Sequence, residues 1–240
     1  MDERKRGRLL QDWTGTPLPG PAVMEGRFAR LERLDAAAHG ADLAEAWLGH
    51  DWLWYYMFHG PFGDRDAVIG HLEGIEDSRD PYFYAIRALA SGKVRGLASY
   101  LRIDPKMGVI EVGNICFSPA LQQTPVATDA MALMMSWAFD SGYRRYEWKC
   151  DALNFPSRRA AERLGLSFEG VFRQHMVVKG RNRDTAWFAT TDQDWPALRA
   201  AFDRWLAPGN FDAGGRQVMR LSDLTHPLLV TRDPAFQAGG

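Results

Sequence analysis

The sequence lacks several features that mark common protein classes. Its 240 residues include only two cysteines, Cys116 and Cys150, which are too few for a disulfide framework. It has no run of about 20 apolar residues, so we expect no membrane-spanning helix. The basic first residues are not followed by an apolar stretch, so we expect no secretory signal. A reducing, cytoplasmic compartment is the default expectation.

An excess of charge of one sign is also absent. Lys and Arg number 29 and Asp and Glu number 30, giving a formal net charge of -1. We therefore expect neither nucleic acid nor a membrane as a partner. The six histidines are scattered singly and no zinc-type spacing occurs, so we expect no metal site. The Gly-x-Ser-x-Gly and Gly-x-x-x-x-Gly-Lys-Ser/Thr motifs are missing, which argues against esterase and nucleotide-hydrolysis chemistry.

The composition is that of a globular protein, with 46% hydrophobic and 25% charged residues. Residues 1–25 are polar and rich in Pro and Gly, and we interpret them as an N-terminal arm. Residues 26–192 form the predicted domain. Residues 193–240 are predicted to be a helix and tail packed on that domain, and they would allow a homodimer.

Apolar periodicity predicts the order of helices and strands. The predicted helices cover residues 39–48, 64–76, 124–142, 157–164 and 195–206. The predicted strands cover residues 26–32, 82–88, 94–103, 109–117, 145–150, 168–178 and 185–190, with a short candidate near Val218. Early helices, then hairpin-linked strands, then strand, helix and hairpin indicate a mixed α+β fold.

The segment from Glu111 to Thr128 leads from a strand through a short loop into a helix. Thr124 suits the N-cap and Pro125 suits the first helical position. The free amides and the dipole of such a helix start favour a phosphate group. Acyl transfer from a thioester to an amine needs a cradle for a phosphorylated cofactor, a base and a proton donor for the departing thiolate. This segment is our candidate for the cradle.

A second tract, from Asp151 to Gly170, contains Asn154-Phe-Pro-Ser157 followed by a helix, Leu-Gly and a Glu-Gly turn. It resembles the GNAT acetyltransferase superfamily, and the nearest branch is similar to enzymes that acetylate ribosomal-protein N-termini. The resemblance extends roughly from Gly26 to Asp192. It implies a central, mostly antiparallel twisted sheet flanked by helices, acetyl-CoA as cofactor, and an amine acceptor.

The resemblance also implies roles for individual residues. Asn154 would hold the pantetheine arm, and Ser157 would lie near the leaving sulfur as a catalytic residue. The family's phosphate loop, Arg/Gln-x-x-Gly-x-Gly/Ala, is altered here, since Pro125 lacks an N–H and Gln123 replaces a frequent Gly. The predicted cofactor-binding residues are Ile115, Phe117, Gln122, Gln123, Thr124, Val126, Ala127, Thr128, Asn154 and Ser157. Among these, the Thr124 and Thr128 hydroxyls and the Val126 and Ala127 amides would compensate for Pro125.

Glu111 is the predicted general base, because the resemblance implies that this strand carboxylate faces the acceptor amine. Its apolar neighbours would raise its pKa toward neutrality. Alternatively, Glu111 caps a sheet face with a partner such as Arg102, and Ser157 only caps a helix. Tyr146 and His175 are weaker acid or base candidates, since such strand residues are more often core.

The predicted substrate-binding residues are Trp54, Tyr55 and Asn114. The first two lie in the aromatic run from Trp52 to Phe58, for which a core position is the alternative. The sequence thus predicts an N-acetyltransferase that acts on a primary amine, either a peptide N-terminus or a small molecule, by direct attack with general-base assistance. The altered glycine loop motivates one alternative, a non-catalytic GNAT-like module that binds coenzyme A.

Overall fold

The computed structural model describes residues 6–236, so residues 1–5 of the predicted arm and 237–240 of the predicted tail lie outside the described residues. Eight strands form one sheet in the order β1-β2-β3-β4-β5-β6-β8-β7. Every neighbouring pair is antiparallel except β5 and β6, which are parallel. The predicted α+β fold with a mostly antiparallel sheet is confirmed.

The elements follow one another in the predicted order. The strands are β1 (Val23–Glu25), β2 (Ala29–Arg33), β3 (Tyr82–Ala88), β4 (Val94–Asp104), β5 (Val109–Phe117), β6 (Arg145–Asp151), β7 (Ser167–Val178) and β8 (Arg181–Thr191). The helices are α1 (Ala36–Trp47), α2 (Arg65–Glu73), α3 (Pro125–Asp140), α4 (Phe155–Arg163), α5 (Trp195–Leu206) and α6 (Leu221–Thr225). None of these described helices is long and apolar enough to cross a membrane.

The two faces of the sheet differ in what covers them. One face packs against α3, α4 and α5 through the larger core, which includes Ile110 and Val112. On the other face, α1 and α2 cover β2, β3 and β4 through a smaller core that includes Phe83 and Leu97. Side chains alternate between faces along a strand. The second face of β5, β6 and β8 therefore presents the residues between those of the larger core. It carries a group of charged residues, which we call the charged face: Glu111, Arg145, Glu147, Lys149, Asp151 and Arg183.

The helix start predicted at Thr124 is confirmed. The Thr124 hydroxyl accepts a hydrogen bond from the Ala127 amide at 3.3 Å, and Pro125 occupies the first helical position. The helix ends before Gly142, whose φ of +89° is a conformation that Gly adopts at low cost.

Two other helices begin earlier than predicted because a different residue caps them. Asp35 caps α1, accepting from the Ala38 amide at 2.9 Å, so this helix starts three residues before His39. Asn154 caps α4, accepting from the Ser157 amide at 3.2 Å. The alternative in which Ser157 is the N-cap is therefore wrong.

Two details of the chain ends also differ from the sequence pattern. The predicted arm contains a short strand, β1, which pairs with β2. The strand predicted near Val218 is wrong, because this region makes only one isolated bridge, between Phe211 and Gln217, before α6 begins.

The C-terminal segment packs against α4 through a buried ion pair. Arg158 donates to both carboxylate oxygens of Asp233, at 2.7 and 2.6 Å, and the two side chains are 8% and 0% exposed. The Thr225 hydroxyl donates to the Arg163 carbonyl at 2.9 Å. These contacts support the helix that carries Asn154.

Glu32 on β2 should make stability depend on pH. Its carboxylate accepts from Arg87 at 2.7 Å and lies 2.9 Å from the His39 ring. The hydrogen bond from Arg87 lowers the pKa of Glu32 to about 2, against the opposing effect of burial. A carboxylate with a depressed folded-state pKa stabilises the fold above its unfolded pKa and loses this contribution as the pH falls through the folded value.

We therefore expect Glu32→Gln to lower the free energy of unfolding by about 2 kcal/mol at pH 7. The difference from the wild type should shrink steadily between pH 5 and pH 2. Urea unfolding across this range measures it, with Glu45→Gln as the control because that carboxylate is exposed. A difference that is the same at every pH would contradict this assignment.

Candidate active site

The site forms where the two parallel strands part. β5 and β6 pair over only four positions, from Val109 opposite Arg145 to Val112 opposite Trp148. Both strands continue beyond that point, to Phe117 and Asp151, without pairing to each other. Main-chain groups of β5 that would bond a neighbouring strand are thus left facing a gap.

A bulge in β5 lies beside this gap. Cys116 pairs with Leu97 but Gly113 pairs with Ser99, so β5 has one extra residue there. Asn114 lies in this stretch with a φ of +50°, and its amide group donates to the Ser99 hydroxyl at 2.9 Å. Such bulges re-aim the backbone at functional sites.

The amides after the bulge alternate in direction. The Ser118 amide donates to Arg95 on β4 at 3.0 Å, so the amides of Phe117 and Ile115 point away from β4 and toward the gap. The Phe117 carbonyl accepts from the Gln122 side chain at 2.9 Å. Ile115, Phe117 and Gln122 are therefore brought together at the gap, as their predicted cofactor contacts require.

The loop before α3 keeps a glycine-like conformation without the glycine. Gln123 has a φ of +58°, a left-handed geometry that costs a non-Gly residue about 1–2 kcal/mol. Within the described residues, the amide of Val126 in the first turn of α3 has no partner, as is usual at a helix start. Gln123 therefore differs from the family's glycine in its side chain but keeps the left-handed backbone conformation that a glycine adopts easily.

Two of the predicted phosphate contacts need correction, because their donor groups already have protein partners. The Thr124 hydroxyl donates to the Leu121 carbonyl at 2.6 Å and accepts from the Ala127 amide at 3.3 Å, so neither of these groups is left to donate to a phosphate. The Thr128 hydroxyl is buried and accepts from Arg163 at 3.1 Å, and its contact with a phosphate stays a prediction. The Val126 amide is the predicted donor that remains free at the helix start.

The start of α4 lies against the other side of the gap. The Ser157 hydroxyl accepts from the Trp148 indole at 3.0 Å, and Trp148 is the last residue of β6 that pairs with β5. Asn154 precedes Ser157 by one turn and uses its side-chain oxygen for the cap. Its side-chain N–H groups make no hydrogen bond within residues 6–236, so they can serve a ligand.

Glu111 lies on the charged face of the sheet beside the point where the strands part. It is 2% exposed, and its oxygens lie 2.8 Å from the Arg102 guanidinium and 2.8 Å from the Lys149 ammonium. Burial raises the pKa of Glu111, while Lys149 and then Arg102 oppose this rise. The Arg102 pairing suggested as an alternative is present, and a raised pKa accompanies it.

The charged cluster extends across the neighbouring strand. Glu147 lies opposite Glu111 in register, and Lys149 lies between them, 2.7 Å from Glu147 and 3.9 Å above the Trp187 ring. Sequence reasoning missed Glu147 and Lys149. Their spacing of two along the predicted strand was the available signal, because it places both on one face.

The weaker acid and base candidates lie in different surroundings. Tyr146 is buried in the larger core, on the face opposite Glu111, and burial raises its pKa well above the usual value. His175 lies on the hairpin of β7 and β8, 2.9 Å from the Thr185 hydroxyl. The structure thus separates Tyr146 from the charged face.

The predicted substrate contacts divide into core and surface. Trp54 is 4% exposed and makes edge-to-face contacts with Trp47 and Phe62, with ring centroids at 5.1 and 4.8 Å. Its predicted contact with an acceptor is corrected to a core position. Tyr55, by contrast, is exposed, and Asn114 is half-buried at the bulge.

The segment that carries Trp54 is hydrogen-bonded to the β7–β8 hairpin and to the loop before α4. The Lys179 ammonium donates to the carbonyls of Trp54, His59 and Gly60 at 2.8–2.9 Å. On the other side, the Tyr56 hydroxyl donates to the Leu153 carbonyl at 3.1 Å. Lys179, which lies just after the strand predicted over residues 168–178, thus joins the tip of the β7–β8 hairpin to this segment.

We expect Lys179→Met to make the segment that carries Trp54 more mobile. Three charge-assisted hydrogen bonds are lost, so protease cleavage within residues 55–63 should accelerate, and the free energy of unfolding should fall by about 1–2 kcal/mol. Limited proteolysis and urea unfolding measure both effects. Arg181→Met, on the same hairpin, is the control and should behave as wild type. Equal behaviour of the two variants would remove Lys179 from this role.

Comparison with known proteins agrees with this geometry. The family described as "Acetyltransferase (GNAT) domain" matches residues 30–167. The chain belongs to the GNAT acetyltransferase family. Two solved structures support the assignment through both sequence and fold. No protein of curated function matches this chain.

The first of these structures is a GCN5-related N-acetyltransferase from Brucella melitensis. It is 48% identical, with a TM-score of 0.88, and the match covers 90% of this chain and 99% of that one. A probable GNAT-family acetyltransferase from Chromobacterium violaceum is 40% identical, with a TM-score of 0.76 and coverages of 81% and 98%. This GNAT chain is therefore an acetyltransferase.

A more distant structure shares only the fold. The microcin C7 self-immunity acetyltransferase, in complex with acetyl-CoA and AMP, is 18% identical with a TM-score of 0.61, and the match covers 69% of this chain and 93% of that one.

The cofactor of the GNAT family is acetyl-CoA, and the residues present fit it. The amides of Ile115 and Phe117 face the gap, the Val126 amide is free at a helix start, and the Asn154 side chain has N–H groups to donate. A thioester and a pyrophosphate need such donors.

Proposed function

We propose that this GNAT enzyme transfers an acetyl group from acetyl-CoA to a primary amine, on a peptide N-terminus or a small molecule, by direct attack with Glu111 as the general base. One observation carries the proposal. Glu111 is a buried carboxylate of raised pKa, one position before the last pairing of β5 with β6.

The acceptor reaches the site mainly as an ammonium ion, which must lose a proton before it can attack. A carboxylate whose pKa is raised is a better proton acceptor than a solvated one. Arg102 and Lys149 fix the position of the Glu111 oxygens. They also oppose the rise in its pKa that burial causes. In our proposal Glu111 takes the proton directly or through one water.

In our proposal, backbone amides and side chains of this chain bind the acetyl donor, acetyl-CoA. Acetyl-CoA supplies a thioester whose carbonyl carbon the amine attacks. In our proposal the amides of Ile115 and Phe117 donate to the oxygen on which negative charge develops. Asn154 holds the pantetheine arm. The Ser157 hydroxyl accepts from Trp148 and lies within hydrogen-bonding reach of the Cys150 thiol. In our proposal its O–H turns to donate a hydrogen bond to the departing sulfur.

A second candidate function is a GNAT-like module that binds coenzyme A without catalysis. Two features favour it: Glu111 is held between two cations, and Pro125 removes one phosphate donor. Thiol release from acetyl-CoA, measured against amines and peptides, separates the two functions. Release with at least one acceptor supports the enzyme, and tight binding without release for any acceptor supports the module.

The compartment proposed for this activity is the cytoplasm. Cys116 and Cys150 are buried free thiols, which suits a reducing environment.

A further inference from the structure

Arg183 on β8 is a buried cation without a partner. Its residue is 7% exposed, and its Nε atom is sealed from solvent with no hydrogen-bond partner. Among residues 6–236 the guanidinium makes no ion pair and no hydrogen bond. The guanidinium carbon lies over the Phe58 ring, 5.1 Å from its centroid.

The neighbouring cations of the cluster are all paired. Lys149 contacts two carboxylates, Arg145 contacts two, and Arg102 contacts Glu111. Burial lowers the pKa of Arg183, and the Asp151 carboxylate only partly opposes this. A buried guanidinium that no anion contacts directly is costly to the fold, and an anion from outside the described residues would relieve this cost.

The position of Arg183 places it on the same face of the sheet as Glu111, the proposed base. In register, Lys149 lies opposite Trp187 and Asp151 lies opposite Thr185. Alternation along β8 puts Arg183 on the same face as Trp187 and Thr185, which is the face of Glu111. Phe58, which covers the guanidinium, belongs to the segment fastened by Lys179 and Tyr56.

We infer that Arg183 binds an anionic group of the acceptor, and that the acceptor is a small amine carrying a carboxylate or a phosphate. The inference rests on the proposed function, because it names the substrate class of the same site. The planar guanidinium matches either anion with two parallel hydrogen bonds. An anion here would compensate the buried charge while the amine of the same molecule reaches Glu111.

Matched pairs of acceptors test the inference. One pair is γ-aminobutyrate and butylamine, and the other is O-phosphoethanolamine and ethanolamine. With wild-type enzyme we expect kcat/KM to be at least about tenfold higher for the anionic member of one pair. The pair that shows the preference distinguishes a carboxylate from a phosphate.

Arg183→Met should abolish this preference and leave kcat/KM for the neutral amine within about threefold of the wild type. Arg183→Lys should keep part of the preference, since lysine retains the positive charge but lacks the paired N–H donors of the planar guanidinium. Arg181→Met on the same hairpin is the matched control and should keep all of it. The inference would be overturned if the wild type had equal kcat/KM for both members of each pair. It would also be overturned if Arg183→Met lowered kcat/KM equally for both members.

A binding measurement separates this inference from the proposed function. Acetate and inorganic phosphate, compared with chloride at equal ionic strength, should raise the Tm of the wild type but not that of Arg183→Gln. If no amine releases thiol yet the anions act through Arg183, the proposed function fails and the anion site stands. If neither anion raises the Tm of the wild type above that in chloride, the anion site fails.

Discussion

Replacing Glu111 with Gln should lower kcat by at least about a hundredfold, within the range that general-base catalysis contributes. The amide has the shape of the carboxylate but cannot accept a proton from the acceptor ammonium. Glu111 lies on the charged face, away from the loop and helix start predicted to hold the phosphates. The Kd for coenzyme A should therefore stay within about twofold of the wild type.

The pH profile of kcat/KM gives the same prediction a second readout. Burial raises the pKa of Glu111, so the wild-type rate should fall as the pH drops through that raised value and the carboxylate becomes protonated. The variant should lack this acid limb. Glu169→Gln is the control, since that carboxylate is exposed and belongs to the same charged chain through Arg145. Unchanged turnover and an unchanged acid limb would remove Glu111 from the mechanism.

Replacing Asp233 with Ala should destabilise the protein by about 3–5 kcal/mol, because it leaves Arg158 as an uncompensated buried charge. Arg158 donates two hydrogen bonds to the Asp233 carboxylate, at 2.6 and 2.7 Å. Urea unfolding measures the loss. Asp223→Ala, at an exposed position of the same segment, is the control and should change stability by less than about 0.5 kcal/mol.

The same variant should also weaken cofactor binding. Arg158 follows Ser157 on α4 and also donates to the Ala152 carbonyl at 2.7 Å, so the ion pair with Asp233 fixes the segment that carries Asn154. We expect the Kd for coenzyme A to rise at least about threefold at a temperature where the variant remains folded. The effect is modest and indirect because Asp233 only supports the segment that carries Asn154. Full stability in Asp233→Ala would contradict the role given to this ion pair, and unchanged affinity would separate it from the site.

The parts of the structure that the sequence predicted are those decided by local physics. The N-cap at Thr124, the proline after it and the glycine that follows the helix all act within a few residues. Alternation of apolar residues likewise identified seven of the eight strands and their order in the chain, all except β1. The helix start at Asn154 was missed because Ser157, another residue type that caps helices, lies three positions later. The start at Asp35 was missed because the helix was predicted only from His39, after three alanines.

The parts that could not be predicted depend on register between distant strands. Glu111 and Lys149 are 38 positions apart in the sequence, and they meet only because β5 and β6 pair in parallel with a particular offset. The same holds for Arg183, which lies between the two strands predicted over residues 168–178 and 185–190. The Thr124 hydroxyl was misassigned for a related reason, since the carbonyl to which it donates lies in an irregular loop.

We propose above all that the gap between β5 and β6 holds the cofactor. Hydrogen exchange in the presence of coenzyme A tests this most directly. Binding should slow amide exchange most strongly in residues 113–128 and in the α4 start at 153–158. It should leave residues 210–220 nearly unchanged. Protection confined to other segments, or no protection at saturating coenzyme A, would contradict the claim.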